Sequence, residues 1–350
     1  MTDDPGQPSA SQQAAPPRRR LRSILSFLIA VALVWALLEW SDVHLADVAR
    51  TVARMPLASF LIALAIHCAI YALRAWRFRT LIPGAPPPTF TQALVIGAAH
   101  NLATYLLPAK TGEGAWVVYL KSRLGVSASV GLASLIVARL LDLAVLCGEL
   151  GLVCLWLAWT GRAGALPWPA GFGALLLALT LLFFVLASKS HWLTSIARQL
   201  LAWTGLARTR IGERIGLQLA AVAAALRDAS SGGRLARAAL LTVPQWLGIF
   251  AFYAVLARAL GLDAGVGFVE ACFGSSLAVL TNLLPINGFA GFGTQEGGWV
   301  LGFGILGVPR DEALATALGV HVVQLFDTLL LGVVALALLA WLWPPRRAVE

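Results

Sequence analysis

Two glutamates are the residues of this chain best placed to do chemistry. Glu113 closes the run NLATYLLPAKTGE at 101–113, and Glu296 closes NLLPINGFAGFGTQE at 282–296. Each run has an asparagine (Asn101, Asn282), then Leu-Leu-Pro, then a glycine-bearing break with Gly112 in the first copy and Gly291 and Gly293 in the second. About 25 residues on, each is followed by a polar cluster inside a long apolar stretch: Arg139 with Asp142, and His321 with Gln324 and Asp327. A charged side chain at the centre of a bilayer costs roughly 2.5–3.5 kcal/mol even on the lenient insertion scale. A deep Glu113 therefore pairs, takes a proton, or meets a cationic group of a substrate; the bland account is a cap on the following helix. The glycines around Gly291 allow a tight turn whose amides can cradle a phosphate. The second string is GxGxxE and no GK[ST] follows, which argues against a nucleotide site.

The polar clusters carry further chemistry. Arg139 and Asp142 stand i, i+3 on one helix face, with Glu149 seven beyond Asp142. They read as a structural ion pair, a gating pair, or a contact to lipid phosphate. His321, Gln324 and Thr328 share a face, and His321 with Asp327 suits a proton relay or plain interhelical hydrogen bonds. His67 reads as hydrogen-bonded packing and His100 as cavity wall. Trp116 and Trp299 follow the two glutamates and are expected to line a lipid cavity. The candidate binding set is thus Glu113, Glu296, Arg139, Asp142, Asn101, Asn282, His321, Asp327, Gly112, Gly291 and Gly293.

The elements that must hold these residues are membrane helices. The 350 residues are 59% hydrophobic and 12% charged, with mean hydropathy +0.80. Soluble domains are nearer 25% charged. The apolar residues fall in runs near the roughly 20 residues needed to cross a bilayer. The net charge of +9 sits between these runs, which favours anionic lipid over nucleic acid as the partner of the basic segments. Cys68, Cys147, Cys154 and Cys272 lie in apolar segments without a CxxC pair. Neither a metal site nor a cofactor is expected.

Residues 1–20 read as a disordered cytoplasmic N-terminus, followed by a signal anchor at 22–40 and a short amphipathic stretch. A span at 58–79 leads to a broken pair, 90–107 and 112–123. The run 127–160 is long enough to be tilted or broken. A span at 168–187 precedes the basic loop 188–235, whose stretches 192–203 and 213–228 have helical apolar periodicity and suit an anionic leaflet. The order then repeats: a span at 236–258, a broken pair at 266–284 and 292–307, a closing stretch at 312–343 and a cytoplasmic tail at 344–350. This predicts an all-α polytopic membrane protein of about six full spans plus two broken or re-entrant hairpins, giving eight or more apolar segments. Two repeats, 21–160 and 161–343, divide it. With Arg18–Arg22 in the cytoplasm, Arg74, Arg77, Arg79, Lys121, Arg123, the loop 188–235 and Arg346–Arg347 all fall inside. The two hairpins then open from opposite faces, an inverted repeat of the kind that brings a binding site to the midplane.

At RAWRFR (74–79), NLATYLLPAKTGE (101–113), RLLD (139–142) and LLPINGFAGFGTQE (283–296) the chain resembles the transmembrane region of lysylphosphatidylglycerol synthetases and stand-alone proteins built from it. The likeness covers about residues 20–343. It implies movement of phospholipids, in particular aminoacylated phosphatidylglycerol, between the leaflets of a bacterial inner membrane. It places site roles on Glu113, Arg139, Asp142 and Glu296. Two positions depart from the pattern: Trp116 stands where the family usually has Arg, and Gln295 where a basic residue often precedes the second glutamate. Both remove positive charge and widen the choice of cargo to hopanoid or polyprenyl lipids, since hopanoid-associated relatives share this membrane core. No aminoacyl-transferring domain follows residue 343, so the chain is expected not to be an enzyme. HExxH, DDxxD-like and GxSxG motifs are absent from the sequence. The remaining readings are a proton-coupled carrier of a small solute and a scaffold for a lipid-modifying enzyme; a homodimer is a further option.

Overall fold

The structure is a computed structural model. It describes residues 44–83, 87–162, 168–189, 209–262, 265–283 and 289–344, with single residues of 28–39 and 195–204. The N-terminal 1–20 segment, nearly all of the expected anchor at 22–40, most of 190–208 and the tail beyond Pro344 lie outside the described residues.

All regular structure among the described residues is helical. A short α1 (Leu45–Ala53) leads into α2 (Leu57–Leu81). The first hairpin is α3 (Phe90–Leu106), a tight 3-10 turn at Pro108–Gly114, and α4 (Ala115–Tyr119), which runs on in a π-helical turn to Leu124. Then come α5 (Ala128–Trp159), α6 (Pro169–Ser188), α7 (Arg210–Ser230) and α8 (Arg234–Ala259). The second hairpin is α9 (Phe268–Leu283), a short turn at Phe289–Gly291, and α10 (Thr294–Ile305), before the closing α11 (Arg310–Leu342).

Local sequence sets these ends. Thr89 and Gln92 form a reciprocal capping box at the start of α3. Ser127 accepts from the Val130 amide at the start of α5, and Thr209 from Gly212 at α7. Pro108, which has no amide hydrogen to donate, ends the α-helical ladder of α3 and opens the tighter turn.

Five stretches are long and apolar enough to cross a membrane: Leu57–Leu81, Ala128–Trp159, Pro169–Ser188, Gly212–Ala259 and Arg310–Leu342. The fourth is α7 and α8 joined at Gly232 and Gly233, both at positive φ. The long run near 127–160 is one unbroken helix of 32 residues, about 48 Å at 1.5 Å per residue. The hairpin legs α3 and α9 have 17 and 16 residues, so each is about 24–26 Å long, short of a hydrocarbon core of about 30 Å. The 213–228 stretch lies within α7, whose apolar face (Ala225, Leu226, Ala229) packs with the core around the first hairpin, against α5 and α6.

Two large apolar clusters organise the interior. One surrounds the first hairpin, with Ile96, Trp116, Leu120 and Leu141. The other surrounds the second, with Trp299, Phe303, Leu314 and Val320. Helices α2 and α8 pack side by side between them.

Candidate functional site

The two breaks face a common cavity of about 200 Å³. Glu113 and Leu107 from the first hairpin, Ala290 and Gly291 from the second, and side chains of α2, α3, α5, α8, α9 and α11 line it. Of the candidate binding set, Asn101, Glu113, Arg139, Asn282 and Gly291 reach this space, and His67 and Gln324, also singled out in the sequence, line it too.

At the first break, Arg139 on α5 donates through Nε to Glu113 Oε2 at 3.1 Å. Both side chains keep access to the cavity, at 40% and 27% exposure. Arg139 also lies 3.5 Å from Asp142, one turn on, so the expected i, i+3 pair is present. The stronger partner of Asp142 is Arg77 of α2, which grips it through both terminal nitrogens. The Trp246 indole and the Gln245 amide of α8 complete the ring of donors, at 3.1 and 3.3 Å. Asp142 thus ties α2, α5 and α8 together beneath the cavity.

At the second break, Glu296 is fully buried and has two tasks. Its Oε2 accepts from the Gly293 amide at 2.7 Å, capping α10. Its Oε1 lies 2.6 Å from His321 Nδ1 on α11. The far nitrogen of that ring, Nε2, contacts the Ala290 carbonyl at 3.2 Å, and the Phe292 ring stacks on the imidazole at 4.1 Å. Ala290 has φ 55°, a left-handed conformation that costs a non-glycine residue roughly 1–2 kcal/mol. Gly293, at φ 84°, needs its missing Cβ to adopt that backbone.

Several expectations change. Of the two readings open for His321 and Asp327, a shared proton relay or plain interhelical hydrogen bonds, the contacts are the interhelical ones: His321 has Glu296, and Asp327 has His67 at 3.3 Å. The facing rotation of α11 sends one residue to α10 and the other to α2. Glu296, His321, Asp327, Asp142, Gly112 and Gly293 are not among the residues lining the cavity; they support the residues that do. Gly112 is packed so tightly that a Cβ there would collide with the Ala103 carbonyl of α3, so its role is close approach rather than a ligand cradle. Trp116 and Trp299 do not line the cavity but lie in the core, with 0% and 1% exposure. Trp116 donates to Ser134 at 3.1 Å and Trp299 to Thr316 at 3.3 Å. His100 is likewise packed, against the rings of Phe78 and Trp116, instead of forming cavity wall. Glu149, on the face of Asp142, has no hydrogen-bond partner for either carboxylate oxygen among the described residues.

Residues placed at the cytoplasmic face from charge alone turn inward. Arg77 is 1% exposed in its grip on Asp142. Arg74 lines the cavity, donates to Asn101 Oδ1 at 2.8 Å and lies over the Tyr71 ring. A guanidinium has five N–H donors, so Arg74 keeps donors for a ligand. Its signal was present in the sequence: His67, Tyr71 and Arg74 recur at i, i+4, i+7, a polar stripe on an otherwise apolar helix.

Tyr105 and Tyr253 were missed as well, and Gln324, named in the polar cluster of α11, was left out of the binding set. Gln324 donates to the hydroxyls of Tyr105 and Tyr253 and accepts from Gln295 at 2.9 Å; Gln295 in turn accepts from Asn282 at 3.3 Å. Gln295, where relatives often carry a basic residue, is part of this neutral amide chain. Trp116, at the other departure, is core. The positive charge of the cavity comes instead from Arg74 and Arg139.

This arrangement can bind an anionic group between two guanidiniums, with hydroxyl and amide donors around it. The family model for the lysylphosphatidylglycerol synthase TM region matches residues 23–344. Among curated proteins, none is similar enough to match.

Proposed function

Since the chain belongs to the lysylphosphatidylglycerol synthase TM-region family, we propose that it moves a phospholipid or related lipid between the leaflets of a bacterial inner membrane. The observation that carries this reading is the pair Arg74 and Arg139 on the wall of a cavity shared by both hairpin breaks. Arg139 is offset by Glu113 and Asp142, whereas Arg74 is held among the described residues by a neutral amide and a tyrosine ring. The wall keeps a surplus positive charge that an anion would offset, and planar guanidiniums suit phosphate oxygens. A volume of about 200 Å³ suits a head group, with the acyl chains left in the bilayer. A charged, hydrogen-bonding wall favours a phosphate-bearing head over a hopanoid one.

The proposed mechanism is alternating access about an inverted repeat of 21–160 and 161–343. Exchange of partners supports it: α3 packs on α11 as α9 packs on α5, while α2 and α8 pack on each other. The topology has both termini in the cytoplasm, six full spans and two hairpins, with the basic loop 188–235 on the anionic leaflet. The lipid crosses chemically unchanged, so the chain acts as a carrier and not an enzyme, alone, as a homodimer or beside a lipid-modifying enzyme.

The cavity's small size also suits a small solute, and one experiment separates the two readings. Lipids bound to the purified protein in native nanodiscs are identified by mass spectrometry, for wild type and the Arg74→Gln/Arg139→Gln double variant. One phospholipid class enriched in wild type and depleted in the variant supports lipid carriage; no enrichment in either points to a solute. In proteoliposomes this variant should fold but transfer poorly, and normal transfer would sink the reading of the two guanidiniums as the head-group site.

A further inference from the structure

Hydrogen-bond accounting at the second break leads to a binding site for a proton. His321 presents both ring nitrogens to oxygen atoms: Nδ1 to Glu296 Oε1 at 2.6 Å and Nε2 to the Ala290 carbonyl at 3.2 Å. A carbonyl can only accept, so Nε2 must carry hydrogen. The Nδ1–Oε1 contact needs a second hydrogen, on either atom. The pair therefore holds two protons and is neutral overall, as imidazolium with carboxylate or as imidazole with carboxylic acid. Both side chains are 0% exposed, so water cannot substitute for a missing hydrogen.

We propose that His321 and Glu296 form a proton-binding site whose occupancy latches the second hairpin, so that release of the proton frees the break at Ala290–Gly291. With one proton gone, the remaining N–H stays with the carboxylate, the more strongly accepting partner. Nε2 then turns a lone pair on the Ala290 oxygen, and the contact changes from attractive to repulsive. Ala290 is the residue held at φ 55°, and with Gly291 it forms cavity wall. The latch thus holds a strained turn on the wall of the binding space. The sign follows: the latched state is fully stabilised while the pair keeps its proton and loses that stabilisation as pH rises.

Among the described residues, the Glu296 carboxylate is the one ion-pair partner of His321. From α10 it meets Glu296, and from the break the Phe292 ring. Helix α1 contributes Val48 and Val52 to this core, and Leu260, the residue after α8, packs at Gly319. Tyr253 of α8 and Tyr105 of α3 are engaged by Gln324, one turn on, and Asp327 of the same helix is turned to His67 of α2.

This inference deepens the carrier reading and rests on it for its purpose, while the latch itself is measured separately. Hydrogen–deuterium exchange is followed on the full chain in phosphatidylethanolamine and phosphatidylglycerol nanodiscs at about pH 5.5 and about pH 8, either side of the ordinary imidazole range. After correction for intrinsic exchange, protection of 289–297 in wild type should fall about tenfold at the higher pH as the latch opens locally. The turn at 108–114 should not change, because arginine does not titrate there. Glu296→Gln is the locked form: its amide oxygen still accepts from Gly293 and its NH2 donates to Nδ1 of a neutral imidazole. That variant should stay protected at both pH values. His321→Gln, which cannot span Glu296 and Ala290 together, should be unprotected at both. Equal protection of wild type at the two pH values, or an undiminished fall in Glu296→Gln, overturns the latch. Transfer of fluorescent phosphatidylglycerol in proteoliposomes is read in parallel. A pH-dependent latch without lipid transfer keeps the proton site and refutes the lipid reading; transfer with flat exchange does the reverse.

Discussion

The two hairpins are built on one frame and closed by different chemistry. In each, a tryptophan stands three residues after the glutamate: Trp116 after Glu113, Trp299 after Glu296. Each tryptophan donates to a hydroxyl on the next long helix, Ser134 or Thr316. Each glutamate meets a base about one turn and a half further along that helix, Arg139 or His321. The first pair is partly open to the cavity and its cation is permanent. The second is sealed, and its base is an imidazole fully buried against the carboxylate. The first break therefore offers charge to a ligand, while the second offers its backbone and keeps its charges as internal fastening.

The long helices are braced differently too, and this yields the largest expected effect. Helix α5 is tied to α2 by the buried Arg77–Asp142 pair, whereas α11 is tied to α8 by the neutral Tyr253–Gln324 contact. Arg77→Ala leaves a buried carboxylate whose one remaining ion-pair partner among the described residues is Arg139, at 3.5 Å, beside the neutral donors Trp246 and Gln245. It should destabilise the protein by about 3–5 kcal/mol, the usual effect of breaking a buried pair. Tyr253→Phe should cost about 1 kcal/mol, a neutral hydrogen bond. Thermal unfolding in one detergent ranks the two, and equal losses would mean that the halves are braced alike. Replacing both partners, as Arg77→Met with Asp142→Leu, should recover much of the loss, because no orphaned charge remains.

Next in size is the effect of the first break on ligand. Arg139→Gln removes a charge from the cavity wall. Loss of a charged hydrogen bond of about 1.5–3 kcal/mol corresponds to roughly 10–100-fold weaker binding or slower transfer of an anionic lipid. Arg74→Gln should behave alike. Melting should move little for Arg139, which is 40% exposed. A variant that melts early but transfers normally would make Arg139 structural, and the contrast between the breaks would fail.

Much of this frame was legible in the sequence because run length and broken apolar patterns are local properties. The hairpins, their short legs and the Glu113 and Glu296 breaks follow from Leu-Leu-Pro and glycine placement. Partner choice is not local. Helix rotation decides that Asp327 turns to His67 and His321 to Glu296, although both lie on α11 six residues apart. Charge counting misled in a specific way: Arg74 and Arg77 sit near a span end and support the positive-inside pattern, yet their long stems carry the guanidiniums inward. The compensating carboxylate for Arg77 is 65 residues away, beyond any helical spacing rule.

The smallest effect tests the shared frame most directly. Trp116→Phe and Trp299→Phe each remove one indole hydrogen bond and little volume, so each should destabilise by about 0.5–1.5 kcal/mol. The surroundings are alike in kind: Trp116 stacks on Phe78 at 4.0 Å, and Trp299 packs edge-on to Tyr253 at 5.7 Å and beside Phe303. Each substitution also strands a hydroxyl that retains a backbone partner one turn back, Ser134 to Gly131 and Thr316 to Ala313, so neither leaves a wholly unsatisfied donor. If the frame is common, the two losses should agree within about 0.5 kcal/mol, and the double variant should be additive because the sites share no partner. Unequal losses would confine the tryptophan–hydroxyl link to one half, and the likeness of the two hairpins would then reduce to the glutamates and the bases that hold them.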